Sequence, residues 1–376
     1  MNTQQTISDR PAPTGVAHWR PGAMSGAEIA LIGAHDAVPI MPGIDLWDCW
    51  PLARDDGSTV EIEGNQYWFF LSAPCFPDPV QRHGFARIRL AALGPGGWRD
   101  LGDCLPDGFS PGSREWAGSA LLHDDGVSVT LFFTAAGRRG EGHSFEQRLF
   151  AAEGRLGQQG PGEWQSCSEV VRPDGTRYFV AVEAEGTPGL IKGFRDPAWL
   201  RDPATGQAHL LFTGTAGWDD AAFNGLIGLA TRGADGVWRL DDPLVEAIGV
   251  NNELERPHVL VRDGRYYLFW STQRRTFDPA VPGGPNGLYA MVADRLTGPY
   301  RPVNGDGLVA GNPASEPTQG YSWWVTGEGA VWSFVDHWGL AGRDLADHPE
   351  LVRSQFGGTP APVFHLAFCG DRVTIA

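Results

Sequence analysis

Five short runs constrain the fold most: Tyr67-Trp68-Phe69-Phe70-Leu71, Thr130-Leu131-Phe132-Phe133-Thr134, His209-Leu210-Leu211-Phe212-Thr213, Tyr266-Tyr267-Leu268-Phe269-Trp270 and Val331-Trp332-Ser333-Phe334-Val335. Each is too short for a buried helix and rich in the aromatic and branched residues that favour strands. They begin at residues 67, 130, 209, 266 and 331, so they recur every 57 to 79 residues. Each interval has room for about four short strands. Further strand candidates lie at 86–90, 177–182, 226–230, 288–292 and 363–368, with turn signals such as Asp124-Asp125-Gly126, Pro173-Asp174-Gly175 and Asp263-Gly264 between strands. Five units of four strands predict an all-β, five-bladed β-propeller, although a two-sheet sandwich would use the same strand count. No helical pattern is long enough for βαβ units, and no linker divides the chain. The expected organisation is an N-terminal arm over residues 1–37 packed on a single propeller domain over 38–376. Trp19, Met24, Ile29, Leu31 and Ile32 are candidate anchors of the arm, with one short helix after Pro21.

Composition excludes some partners. The chain has 376 residues and a formal charge of −16. A nucleic-acid backbone or an anionic membrane calls for a basic surface, so neither is expected as a partner. High Gly (51) and Pro (29), with 15 Trp and 19 Phe, suit many short strands and frequent turns. The five cysteines are widely spaced and form no metal-ligand pattern; they read as mostly free thiols, with one disulfide allowed. No signal peptide and no apolar run of membrane-spanning length is visible. The expectation is a cytoplasmic protein, or one exported by a route that needs no such signal.

A propeller brings its inner strands together around a funnel, so acids distant in sequence can meet there. Gly43-Ile44-Asp45-Leu46-Trp47-Asp48-Cys49-Trp50-Pro51-Leu52 places two carboxylates among tryptophans. Aromatic faces beside carboxylates suit a sugar-cleaving site, and equally a turn entering a strand with its tryptophans in the core. Gly193-Phe194-Arg195-Asp196-Pro197-Ala198-Trp199 sets an Arg before an Asp, which favours the charged pair. The second copy, Arg201-Asp202-Pro203, reads as a hairpin tip. In Asn252-Glu253-Leu254-Glu255-Arg256-Pro257-His258-Val259 the two glutamates share one strand face, where mutual repulsion raises at least one pKa and supplies a general acid; an exposed face of solvated acids is the plain alternative. Arg256 points away from both and braces the blade. Glu115-Trp116-Ala117-Gly118-Ser119 resembles another strand entering the funnel.

Together these motifs, in this order, resemble glycoside hydrolase family 68, the levansucrases, inulosucrases and bacterial β-fructofuranosidases. The resemblance covers nearly the whole chain, including Thr297-Gly298-Pro299-Tyr300 and Gln319-Gly320-Tyr321-Ser322, and is closer to the Gram-negative-type members. It implies the same propeller and retaining cleavage of sucrose through a covalent fructosyl-enzyme. Asp48 would be the nucleophile, Glu255 the acid/base and Asp196 the transition-state stabiliser. Trp47, Trp116, Ala117, Arg195, Glu253, Gln273, Arg274 and Tyr321 would contact substrate. A retaining pair needs its carboxyls about 5–5.5 Å apart, which a funnel can provide. Sucrose, other β-fructosides and sugar acceptors are the implied partners, with no cofactor and no metal. The departures are Cys49 and Ala117 where the family usually has Ser, Thr213 where Glu is common, Gln273 where an Arg or His meets the acceptor, and Trp323 in place of His. They cluster on the glucose or acceptor side. Asn252 stands where Gram-positive members carry a calcium-ligand Asp. The competing readings are a polymer-forming levansucrase or inulosucrase, and a non-catalytic fructoside-binding propeller.

Overall fold

Each of the five aromatic runs is the second strand of a blade. The computed structural model describes residues 12–22, 26–181 and 186–376. Blade one comprises Ile44–Ala53, Asn65–Pro74, Arg87–Gly94 and Gly97–Asp103; blade two comprises Arg114–Leu122, Ser128–Ala136, Gln147–Gly157 and Gly160–Val171. Blades three, four and five begin with Arg195–Arg201, Glu255–Arg262 and Gly320–Val325. These five inner strands contact one another in sequence, and the fifth returns to the first. That closed ring distinguishes a propeller from the sandwich. The second strands lack polar alternation because a neighbouring blade covers each face. Phe69, Phe133, Phe212 and Phe269 are all fully buried.

The arm straps two blades. Ala17–His18 pairs in parallel with Val245–Glu246 of blade three, and Ala27–Glu28 with Leu308–Gly311 of blade four. Between them Trp19 is fully buried, edge-on to Trp270 and Tyr289, each 5.2 Å away, and its indole N–H donates to Asp306 O at 3.1 Å. The described residues after Pro21 form that second strand rather than a helix, because its backbone groups find partners on a sheet edge. Met24 lies outside the described residues. Ile32 is buried, but Leu31 is exposed and anchors nothing. The strand expected at 177–182 is, over its described part, only a bridge between Tyr178 and Ala216. Asp174 takes the N–H groups of Thr176, Arg177 and Tyr178, leaving them unable to build a ladder. All five cysteines are free thiols, so the allowed disulfide does not form.

One irregularity recurs at the same place in every blade. The inner strand slips register against the second strand between Trp47 and Trp50, Trp116 and Gly118, Arg195 and Ala198, Glu255 and His258, and Tyr321 and Trp324. Immediately after the last paired residue φ is positive in four blades, at Asp48 (46°), Asp196 (62°), Arg256 (52°) and Ser322 (62°). Such a conformation costs about 1–2 kcal/mol in a non-glycine residue and re-aims its side chain. Hydroxyls on the second strands secure three of these slips across blade boundaries. Thr134 Oγ1 accepts from Asp196 N at 2.9 Å, Thr213 Oγ1 from Arg256 N at 3.2 Å, and Ser271 Oγ from Trp323 N at 2.9 Å. In blade two the slip ends at Gly118, where an added Cβ would sit 1.9 Å from Phe132 O. Gly118→Ala is therefore expected to destabilise the protein by about 3 kcal/mol or more, read as a lower denaturant midpoint at unchanged slope.

The ring closes through side chains as well as backbone. Asp45, buried on blade one, accepts two hydrogen bonds from Arg353 near blade five, at 2.7 and 3.0 Å.

Candidate active site

The slips point side chains into one central cavity of about 1640 Å3. Trp47, Trp116, Arg195, Glu255 and Tyr321 occupy equivalent register positions in the five blades, followed by Asp48, Ala117, Asp196, Arg256 and Ser322. The cavity wall includes Trp47, Asp48, Trp116, Arg195, Asp196, Glu253, Glu255, Gln273, Arg274 and Tyr321. Ala117 is the exception among the expected contacts. It is buried in the core, off the wall, with its carbonyl accepting from Thr134 Oγ1 at 3.1 Å.

Arg195 joins acids from two blades. Its guanidinium bonds to Glu253, donates to Glu255 Oε1 at 2.8 Å and lies 3.6 Å from Asp196 Oδ2. Glu253 lies just before the strand that Glu255 opens, so the two do not share a strand face; they meet instead at the Arg195 guanidinium. Burial raises the Glu253 carboxyl above its ordinary range, and repulsion from Glu255 adds to the effect against the pull of Arg195. Asp196 accepts from Thr213 Oγ1 at 3.0 Å and from Arg256 N at 3.3 Å. Burial still outweighs the attraction of Arg195, and with the negative charges of Glu255 and Asp48 it pushes Asp196 up to about 6. Tyr321 Oη donates to Glu255 Oε2; burial and that carboxylate drive the phenol well above its ordinary value, so it stays a donor.

Asp48 is enclosed. Burial raises its pKa, opposed by Arg256, by a hydrogen bond from Ser322 and by Arg82. Arg256 does not turn wholly away from the acids. It donates to Ser322 Oγ at 2.8 Å and to Cys49 O at 2.6 Å, so it braces blades one and five while holding a positive charge beside Asp48. Ser322 was quoted with its motif but given no role, since a serine before a tryptophan carries no such signal without the register.

Arg82, His83 and Asp336 were also missed. The short 3-10 helix Pro79–Gly84 brings Arg82 over the Trp47 ring at 5.3 Å and over Phe356 at 4.6 Å, and places His83 edge-on to Trp47 at 6.0 Å. His83 is exposed at the cavity edge, its Nδ1 in hydrogen-bond contact with Val80 O at 3.0 Å. Partial burial raises Asp336, but the His337 hydrogen bond and the charge of Arg82 draw it below its ordinary value, and it joins the cavity wall as an anion. The one local signal was Asp78, whose side chain caps the turn by accepting from Val80 N.

The Asn252 amide is committed to backbone, accepting from Gly189 N at 2.6 Å and donating to Ala222 O at 2.8 Å. Among the described residues no group of three His, Cys, Asp or Glu side chains is placed to hold a metal ion, and no helix is long and apolar enough to cross a membrane.

The levansucrase/invertase family model, glycoside hydrolase family 68, matches residues 25–224 and 216–376. The chain belongs to that family. Curated relatives include a levansucrase of Erwinia amylovora, 29% identical and aligned over 94% of each chain. Another is levansucrase LscC of Pseudomonas savastanoi pv. glycinea, 30% identical over 95% of this chain and 91% of the relative. Among solved structures, an inulosucrase from Halalkalicoccus jeotgali bound to kestose superposes with a TM-score of 0.85. It is 39% identical and covers 96% of this chain and 95% of its own. The family assignment accounts for the five-bladed ring and for the spacing of the Trp-Asp, Arg-Asp-Pro and Glu-Arg-Pro motifs. It makes this chain a glycoside hydrolase of the fructosyl-transferring kind.

Proposed function

We propose that this family 68 enzyme cleaves sucrose by a retaining mechanism and passes fructose to water or to a sugar acceptor. One observation carries the reading: Asp48, Asp196 and Glu255 arrive from three blades at one cavity, close enough that Asp196 feels the charges of both other acids. The Asp48 carboxylate attacks the fructosyl anomeric carbon as the bond to glucose breaks, forming a covalent ester. Ser322, Arg256 and Arg82 oppose the burial that would protonate this nucleophile. Glu255 gives its proton to the departing glucose oxygen, then takes one from the incoming water or acceptor hydroxyl. Arg195 and Tyr321 hold its two oxygens in place. Asp196, fixed by Thr213 and Arg256 N, binds fructosyl hydroxyls as charge develops on the ring. Trp47 and Trp116 present apolar faces to the sugar.

A polymer-forming inulosucrase or levansucrase is the second reading, favoured by the relatives' names and by a cavity wider than one disaccharide. Incubation with sucrose tests both. Glucose should appear from the start, with free fructose lagging behind wherever transfer occurs, and size-resolved products would separate short oligosaccharides from polymer. Absence of glucose release from sucrose, raffinose and related β-fructosides would remove the proposal.

A further inference from the structure

The cavity wall mixes its acids with several cations that the proposed chemistry does not use. The chain carries −16 overall, yet Arg114, Lys192, Arg274 and Arg275 line this wall. None of the four has a carboxylate within 4.0 Å among the described residues. Two wall acids, Glu28 and Asp278, are ion-paired to none of them. Lys192 is the chain's only lysine; among the described residues its ammonium donates to Asn224 Oδ1 at 2.6 Å and Ala222 O at 3.2 Å, with Asp219 attracting it from beyond ion-pair distance. Arg275 likewise bonds Gln273 Oε1 at 2.6 Å and Gly186 O at 3.4 Å. The Arg274 guanidinium is exposed and makes no hydrogen bond among the described residues; only its backbone N–H is engaged, with Asn286. Arg114 donates to Ser144 O while its Nε is buried without a partner.

Structural bracing accounts for only part of this set. Arg275 and Lys192 hold the two ends of the segment 186–192, but the Arg274 guanidinium braces nothing among the described residues. Asp219 attracts Lys192 and Glu253 attracts Arg275, each from beyond ion-pair distance, and cations on a concave wall that are not locked into a close pair concentrate anions near them. None of the four forms an ion pair with Asp48, Asp196 or Glu255 among the described residues, whereas Arg195 bonds to Glu255 and lies beside Asp196, and the Arg274 and Arg275 side chains are exposed. A charge here therefore meets the acceptor rather than the fructosyl group.

We infer that the acceptor site is built for anionic saccharides, sugars bearing a carboxylate or a phosphate, in preference to their neutral counterparts. The inference rests on the transfer reaction proposed above. In the transfer step the acceptor hydroxyl oxygen forms the new bond to the fructosyl anomeric carbon. The bond to Asp48 breaks with its electron pair returning to the carboxylate, and the hydroxyl proton passes to Glu255.

The test supplies sucrose together with equal concentrations of isotopically labelled glucose, glucuronate and glucose 6-phosphate, and reads the fructosylated products by mass. At low salt the anionic products should exceed the labelled glucose product by about 5-fold, falling towards parity at about 0.5 M NaCl, where exposed charges are screened. The ratio should also fall towards parity in the Arg274→Gln/Arg275→Gln double variant and partly in Lys192→Gln, while Arg275→Lys retains it. Because each ratio is internal to one enzyme sample, partial loss of folded protein does not alter it. A gain with only one anion supports the site and names its group. Parity or a preference for glucose in the wild type at low salt overturns the inference, as does an unchanged ratio in both charge-removing variants. Failure to release glucose from sucrose at all would instead sink the underlying reaction.

Discussion

Asp48→Asn is expected to lower sucrose turnover by about 10^4-fold or more, with the fold intact. The amide has the shape of the carboxylate and keeps an oxygen for the Ser322 hydroxyl. It cannot form the ester that a retaining reaction passes through. Glu255→Gln separates the two half-reactions. It should slow sucrose cleavage by about 10^2–10^4-fold, because glucose then departs without a proton. A fructosyl donor whose leaving group needs no protonation should still give a burst of leaving group equal to the enzyme present, after which the trapped fructosyl-enzyme turns over slowly. Mass spectrometry of the quenched protein would place the fructosyl group on the peptide holding Asp48. Substantial turnover by Asp48→Asn, or a label on another acid, would show that the nucleophile is misassigned.

The second large effect has two signs. Asp196→Asn should cost about 10^3-fold or more in kcat on sucrose, because the residue is argued to bind the fructosyl ring as charge develops. The same change should stabilise the folded protein at pH 8. Burial raises the Asp196 pKa to about 6 from an ordinary 3.8. A carboxyl raised on folding is more easily charged in the unfolded chain, so it costs stability as pH rises through that interval and costs none below about 4. The asparagine carries no charge to bury, and its oxygen can still accept from Thr213 and Arg256 N. The gain should be about 1–3 kcal/mol, a rise of a few degrees in Tm at pH 8 that shrinks to nothing near pH 4. A Tm that falls equally at both pH values would mean that the charge is satisfied and the residue is structural.

What could be read from the chain follows from which interactions are local. The second strands were visible because both faces are buried and their residues run apolar without interruption, as in Tyr67-Trp68-Phe69-Phe70-Leu71. The acids were visible because each slip of register needs a particular local sequence, with Pro following Asp196 and Arg256 directly. The roles of Ser322 and Arg82 were not visible, since they depend on Arg256 arriving from another blade and on Trp47, 35 residues earlier, folding back against Arg82. The expected contact at Ala117 failed for a related reason: in blade two the slip resolves at a glycine, and the residue before it stays in the core. The strand at 177–182 and the helix after Pro21 were lost to partners far away in sequence or to an aspartate turn that consumed the donors.

The repeated slip has one more consequence. A reaction centre assembled from unrelated loops would have to be rebuilt loop by loop to acquire new chemistry. Here four blades repeat the same left-handed kink around one axis, two of them holding aspartate at it and one holding glutamate a step earlier in register. Exchanging the occupant of a single such position leaves the backbone around it unchanged, so selection could retune this ring as a combination lock is reset, one dial at a time.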